Sequence, residues 1–209
     1  MARGEARARR DRGRGVHRPG ARQVSVPASD RLVFSQTVEG LFLRALKERL
    51  TERLKDRLAK EAGIDLRAPL KPGYSLDSWD TAVTVAAEEL HPKVELAVAF
   101  ELLGAALTQG YFDTMVGSAL AAMLRLIGPP RAIRRIERSL RSGNNYSQTS
   151  LTELSPSHFE IHTNETGRLR DNLRGVIRRG MEVAGARNVR CTVLRFDETN
   201  TVYDIEWDP

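Results

Sequence analysis

Leu96-Ala97-Val98-Ala99-Phe100-Glu101-Leu102-Leu103-Gly104-Ala105-Ala106-Leu107 sends apolar side chains in every direction around a helix. A helix of that kind belongs inside a protein. With Glu101 in its middle the run is too short and too polar to span a bilayer, so no membrane is expected. Gly110-Tyr111-Phe112 breaks it, Asp113 is the expected cap, and a second nearly all-apolar helix runs from Met115 to Ile127. There Gly117, Ser118, Ala119, Ala121 and Ala122 let a neighbouring backbone come close. Two consecutive buried helices predict a helical core.

Working toward the N-terminus, Phe42, Leu46, Leu50, Leu54 and Leu58 recur every four residues. They predict one amphipathic helix over 38–61, capped by Gly63. Residues 68–74 hold too many breakers to be regular. Ser75 or Asp77 then caps a helix with Trp79, Ala82, Val83, Ala86 and Leu90 on one face, stopped at His91-Pro92. Toward the C-terminus, Gly128-Pro129-Pro130 starts a helix with Ile133, Ile136 and Leu140 inward, ended by Ser142-Gly143-Asn144-Asn145. Beyond this the period falls to two, predicting strands over 146–154 and 158–163 and, after a helix over 167–185, strands over 189–196 and 201–207. The tight Asp197-Glu198-Thr199-Asn200 link makes the last two an antiparallel hairpin. The fold class is α+β: an N-terminal helical half packed on a four-stranded antiparallel sheet in the order strand-strand-helix-strand-strand. The expected division is a disordered Arg-rich tail over 1–32, a helical subdomain over 33–145 and a sheet subdomain with one helix over 146–209.

Charge separates tail from body. Arg3, Arg7, Arg9, Arg10, Arg12, Arg14, Arg18 and Arg22 against Glu5 and Asp11 supply the whole formal +6, leaving twenty-five charges of each sign in the rest. Tracking nucleic acid takes a surplus of cations. The body has none, so nucleic-acid binding would fall to the tail. Three readings fit that tail: a tether for nucleic acid or an acidic membrane, an inert disordered leader, or translation from too early a start codon. The last draws on arginine outnumbering lysine 28 to 5, as GC-rich DNA encodes. Hydrophobic and charged contents of 41% and 29% mark the body as globular. Its single thiol, Cys191, on a strand between valines, reads as a packing residue, and with no apolar leader the expected compartment is cytoplasmic.

Three constellations are candidates for chemistry. On a strand, His158, Glu160 and His162 project from one face, a competent set for zinc or iron. Yet alternate residues stand about 7 Å apart, too far for all three to grip one ion without a bulge. The plain reading is a half-exposed polar face, and no metal is assigned. Arg131, Arg134, Arg135 and Arg138 on one helix, with Arg174 and Arg178 on another, would hold an anion or acidic partner if their faces adjoin; otherwise they are solvated stripes. Trp79, Phe100, Tyr111, Phe112, Met115 and Met123 sit in or beside the apolar helices and would line a pocket between helices and sheet, or simply fill the core. Phosphate loops, dinucleotide fingerprints and nucleophile elbows are missing, so no catalytic residue is assigned.

Gly110-Tyr111-Phe112-Asp113-Thr114-Met115-Val116-Gly117, Leu126-Ile127-Gly128-Pro129-Pro130 and Ser142-Gly143-Asn144-Asn145-Tyr146 resemble an uncharacterised myxobacterial family with many paralogues per genome. The resemblance takes in nearly all of residues 33–207 and implies no activity. More remotely, the element order is similar to the haem nitric-oxide/oxygen-binding domains and the vinyl-reductase-like ligand-binding domains, which implies a sensory or adaptor scaffold. In the haem proteins a histidine on the helix before the first strand holds iron. The corresponding helix here, 130–141, has none, and where they carry Tyr-x-Ser-x-Arg this chain reads Ile161-His162-Thr163-Asn164-Glu165. No haem or other cofactor is expected.

The resulting expectation is a non-enzymatic cytoplasmic binding module, a signalling adaptor or small-molecule sensor, whose partner is a protein or a small apolar ligand. The alternatives are a metal-dependent enzyme built on His158, Glu160 and His162, and nucleic-acid tethering through the tail.

Overall fold

The computed structural model describes residues 26–209, so the arginines of residues 1–22 and the three readings of them lie outside the described residues. In the described part of the expected tail, 26–32, Ala28–Asp30 make a 3-10 turn and Leu32 opens β1 (Leu32–Phe34). There follow α1 (Ser35–Val38), running into a π-helical segment over Glu39–Ala45, α2 (Glu52–Ala62) and β2 (Gly73–Ser75). Next come α3 (Leu76–Leu90), α4 (Leu96–Phe112), α5 (Met115–Ile127), α6 (Pro129–Ile133) and α7 (Ile136–Leu140). The chain ends in β3 (Thr149–Ser155), β4 (His158–Thr163), α8 (Leu169–Val183), β5 (Arg187–Phe196) and β6 (Thr201–Asp208). This is an α+β protein. Among the described residues no helix is long and apolar enough to cross a membrane.

Four strands form the expected antiparallel sheet, in the order β3-β4-β6-β5, but it is not the only sheet. β1 and β2 pair as a second, two-stranded one, with Val33 opposite Tyr74 and both buried. The breaker-rich 68–74 stretch hid β2, because a three-residue strand is too short to show a period. In the large sheet β4 sits centrally, Phe159 opposite Ile205 and Ile161 opposite Tyr203. These side chains are buried on the inner face, where the Phe159 and Trp207 rings stack at 5.7 Å.

Three helix expectations need correction. The helix expected over 38–61 is broken: after the π-helical segment and a 3-10 turn at Lys47–Arg49, α2 starts afresh where the Thr51 hydroxyl accepts from Leu54 N at 3.1 Å. The helix after Gly128 is two five-residue pieces. α5 is not interior: only Gly117, Ala121 and Leu124 are buried, while Met115 and Leu126 are 88% and 86% exposed. Its cap is Thr114 rather than Asp113, the Thr114 hydroxyl accepting from Gly117 N.

Buried apolar residues form two clusters. One gathers Phe42, Leu54, Leu58, Trp79, Phe100 and Leu103 from the N-terminal elements. The other joins Phe112, Ile133 and Ile177 to Phe159, Tyr203 and Trp207. α4 and α8 link them, crossing with backbone on backbone. A Cβ on Gly104 would stand 1.9 Å from the Asn172 carbonyl oxygen, and one on Gly175 would stand 2.1 Å from that of Glu101. Real side chains do not approach so closely. The Asn172 amide donates to the Phe100 carbonyl at 3.1 Å, and Arg174 and Arg178 reach Glu101 at 2.7 and 3.2 Å.

Gly104→Ala and Gly175→Ala must each force the helices apart and are expected to cost about 3 kcal/mol or more, the upper range for overpacking. Gly180→Ala, on the same helix with nothing within 4 Å of a new Cβ, is expected to gain roughly 0.5 kcal/mol. Urea denaturation midpoints of the three variants check the contrast.

Candidate functional site

Between the two clusters lies a cavity of about 160 Å³, walled by residues of both. Helices supply most of its lining. Trp79 comes from α3, Thr108, Tyr111 and Phe112 from α4, Leu124 from α5, Ile133 and Ile136 from α6 and α7, and Asn172, Leu173, Ile177 and Met181 from α8. The tip of β1 and the segment after β4 close the rest with Val33 and Glu165. A cavity near 150 Å³ holds one benzene-sized molecule.

Of the pocket residues expected from sequence, Trp79, Tyr111 and Phe112 line this cavity. The other three do not. Phe100 is fully buried in the N-terminal cluster, Met123 packs against the edge of the sheet-side cluster, and Met115, in the first turn of a surface helix, faces solvent. All three expectations took apolar residues at helical spacing for a shared wall, and α5 turns its methionines elsewhere.

The arginine sets do not come together. Arg134 grips Glu153 on β3 at 2.7 Å and donates to the Pro130 carbonyl, while Arg131, Arg135 and Arg138 are exposed around it. Arg174 and Arg178 are turned the other way, onto Glu101 of α4, and Arg178 also holds Glu182 at 3.0 Å. An anion site shared by the two helices is therefore not built. His158, Glu160 and His162 do lie on one face of β4, as expected, but pair off: His158 with Asp204 at 2.6 Å and His162 with Glu160 at 3.3 Å. Among the described residues no three His, Cys, Asp or Glu side chains are grouped to hold a metal. Cys191 is buried on β5, and burial pushes its thiol up to about 12, far from reactive thiolate.

The polar centre of the cavity was not singled out from sequence. Glu165 is 91% buried, and its carboxylate accepts the Tyr146 hydroxyl at 3.0 Å. The Thr166 backbone supplies a further hydrogen bond. Burial raises its pKa to about 7, opposed by those two hydrogen bonds and by the charge of Arg31 and reinforced by Asp80. Tyr146 is raised well above its ordinary value, by burial first and then by Glu165. A signal did exist: Phe159, Ile161 and Thr163 are buried alternately along β4, and the same parity carried two residues past the strand brings Glu165 inward.

The model of a family described as a protein of unknown function, DUF2378, matches residues 31–208. No curated protein matches the sequence. Among solved structures the chain is similar to H-NOX proteins. One, the Fe(II) unliganded protein from K. algicida, is 12% identical with a TM-score of 0.58, over 83% of this chain and 95% of that one. Another, from S. oneidensis in the Fe(II)NO ligation state, is 10% identical with a TM-score of 0.59, over 83% and 99%. At such identity the likeness is one of fold.

Glu165 yields a pH prediction. Its folded pKa lies above the unfolded value, so the folded state holds the proton more tightly. The stabilisation is complete below the unfolded value of about 4.5 and is lost as pH rises to about 7, by roughly 3 kcal/mol. Glu165→Gln keeps an acceptor for Tyr146 and removes the titration. Relative to the native chain, the variant is expected to gain stability progressively between pH 4.5 and 7, measured by denaturation at each pH.

Proposed function

The chain belongs to DUF2378, a family of unknown function, and we propose that within it this protein is a small-molecule sensor: a non-enzymatic, cytoplasmic module that binds a small, largely apolar ligand in the cavity between its two clusters. The single observation that carries this is the cavity itself. It is lined mainly by apolar and aromatic side chains with a few polar groups, as ligand sites are, and it sits where the helical and sheet-side clusters meet. A ligand there touches both, so occupancy biases how they pack. The likeness in fold to H-NOX proteins supports the reading by analogy alone.

Haem, named in work on the H-NOX family, does not fit this chain. Among the described residues, no histidine or cysteine lines the cavity. Its two tyrosine hydroxyls are engaged with Glu165 and Ser142, and burial disfavours their ionisation. Met181 offers only a thioether, without the imidazole that accompanies it in cytochromes. The benzene-sized space is also several times too small for a porphyrin.

Native mass spectrometry of the full chain purified from its own host is expected to show a bound small molecule. Gly180→Leu places a branched side chain in open space on the cavity wall and is expected to abolish that mass shift while leaving the circular dichroism unchanged. A ligand-free native chain that also fails to bind toluene would overturn the proposal.

A further inference from the structure

We infer that the cavity is selective for a small apolar amine, bound as its ammonium ion with the Glu165 carboxylate as counter-ion. The inference rests on the ligand-binding reading above and deepens it. Among the described residues that line the cavity, Glu165 is the only carboxylate and none is lysine, arginine or histidine. An anionic ligand would find no cation there and would meet a buried acid. A carboxylate has about four acceptor positions. Two are met, by the Tyr146 hydroxyl and the Thr166 backbone, and Glu165 forms no salt bridge among the described residues. Burying a carboxylate without a counter-ion is costly even when it is hydrogen-bonded, and a ligand ammonium supplies both the missing charge and further donors. The aromatic side chains of Trp79 and Tyr146 also line the cavity, and ring faces attract ammonium ions.

The groups around Glu165 are consistent with that role. Arg31, ahead of β1, lies over the Tyr146 ring at 5.6 Å rather than on the carboxylate. From α3, Asp80 adds negative charge nearby; its Oδ2 is 3.5 Å from Arg168, and its Oδ1 is buried without a hydrogen-bond partner. Tyr203 of β6 is neutral and donates its hydroxyl to the Arg170 carbonyl. Of these charged groups, Asp80 is paired with Arg168 and Arg31 is held over the Tyr146 ring, and Glu165 alone among them lines the cavity.

Three probes of one size test the inference by calorimetry on the full chain: benzylamine, toluene and benzoate. At pH 8 benzylamine is expected to bind at least tenfold more tightly than toluene, and benzoate at least tenfold more weakly. As pH falls below 7, benzylamine affinity should drop about tenfold per unit, because Glu165 takes up a proton while the amine keeps its own. Toluene binding should stay level. In Glu165→Gln the preference should collapse with toluene affinity retained, which also reports that the variant is folded. Benzoate binding as tightly as benzylamine, toluene equalling benzylamine at pH 8, or a preference that survives in Glu165→Gln would overturn the amine class while leaving the cavity reading intact. If none of the three binds, the cavity reading itself falls.

Discussion

The backbone contact between α4 and α8 is the constraint on which the rest of the molecule depends. Gly104 and Gly175 remove the side chains that would otherwise hold two helices at ordinary spacing, and the helical and sheet-side clusters come to share a wall. Polar contacts then lock the register of the crossing. Asn172 donates to the Phe100 carbonyl, the Thr108 hydroxyl to the Val176 carbonyl at 3.4 Å, and Arg179 to Gln109 at 2.6 Å. The outer side is fastened by Glu101, held by two arginines of α8. The one acid in the most apolar segment of the chain is thus the anchor for the helix that packs on the sheet. With that crossing fixed, the space beside it is the cavity, since α5, α6 and α7 cover it without filling it.

Periodicity made the regular parts of this fold legible. The alternation of His158–Thr163 predicted β4 at its observed bounds, and the all-round apolar run from Leu96 placed α4 at the centre. What misled was composition taken for burial. Met115–Ile127 is apolar enough to be interior, yet it has only a narrow buried face, and nothing in its spacing distinguishes a covered methionine from an exposed one. Short elements failed for a different reason: β1, β2 and the paired turns α6 and α7 are held by long-range contacts, such as Asn145 accepting from Leu32 N at 2.8 Å, that no local window contains. The broken α2 region is intermediate. Its four-residue leucine spacing is real, but the Thr51 cap divides it.

For the candidate site the lesson differs. Trp79, Tyr111 and Phe112 were found because ligand cavities and cores draw on the same residue types, and for that reason the same logic also recruited Phe100, Met115 and Met123. The two arginine stripes were visible as charge but not as partners: Arg134 meets Glu153, while Arg174 and Arg178 meet Glu101. Histidines on β4 likewise met carboxylates across the sheet or along the strand rather than one another. Glu165 escaped because the only local mark of its burial is the parity of Phe159, Ile161 and Thr163 carried past the end of β4, where a strand pattern is not ordinarily extended. Only the tertiary fold takes it out of water.

That burial is the least explained feature of the structure on stability grounds alone. The Tyr146 hydroxyl needs an acceptor, but an uncharged amide would serve it at smaller desolvation cost. Removing the charge altogether would relieve the fold of a penalty that grows as pH rises through neutrality. A well-packed core has no use for an ionisable group when Arg31, whose charge acts on it, lies over a ring rather than on the carboxylate. A cavity site does, because strained or costly groups are retained where a ligand completes them. On the amine reading proposed above, the residue whose burial costs the fold stability is also the one that discriminates among ligands of equal size and shape. A bound ammonium would then restore part of that stability, so that the cavity's preference and the protein's pH response would share one physical origin.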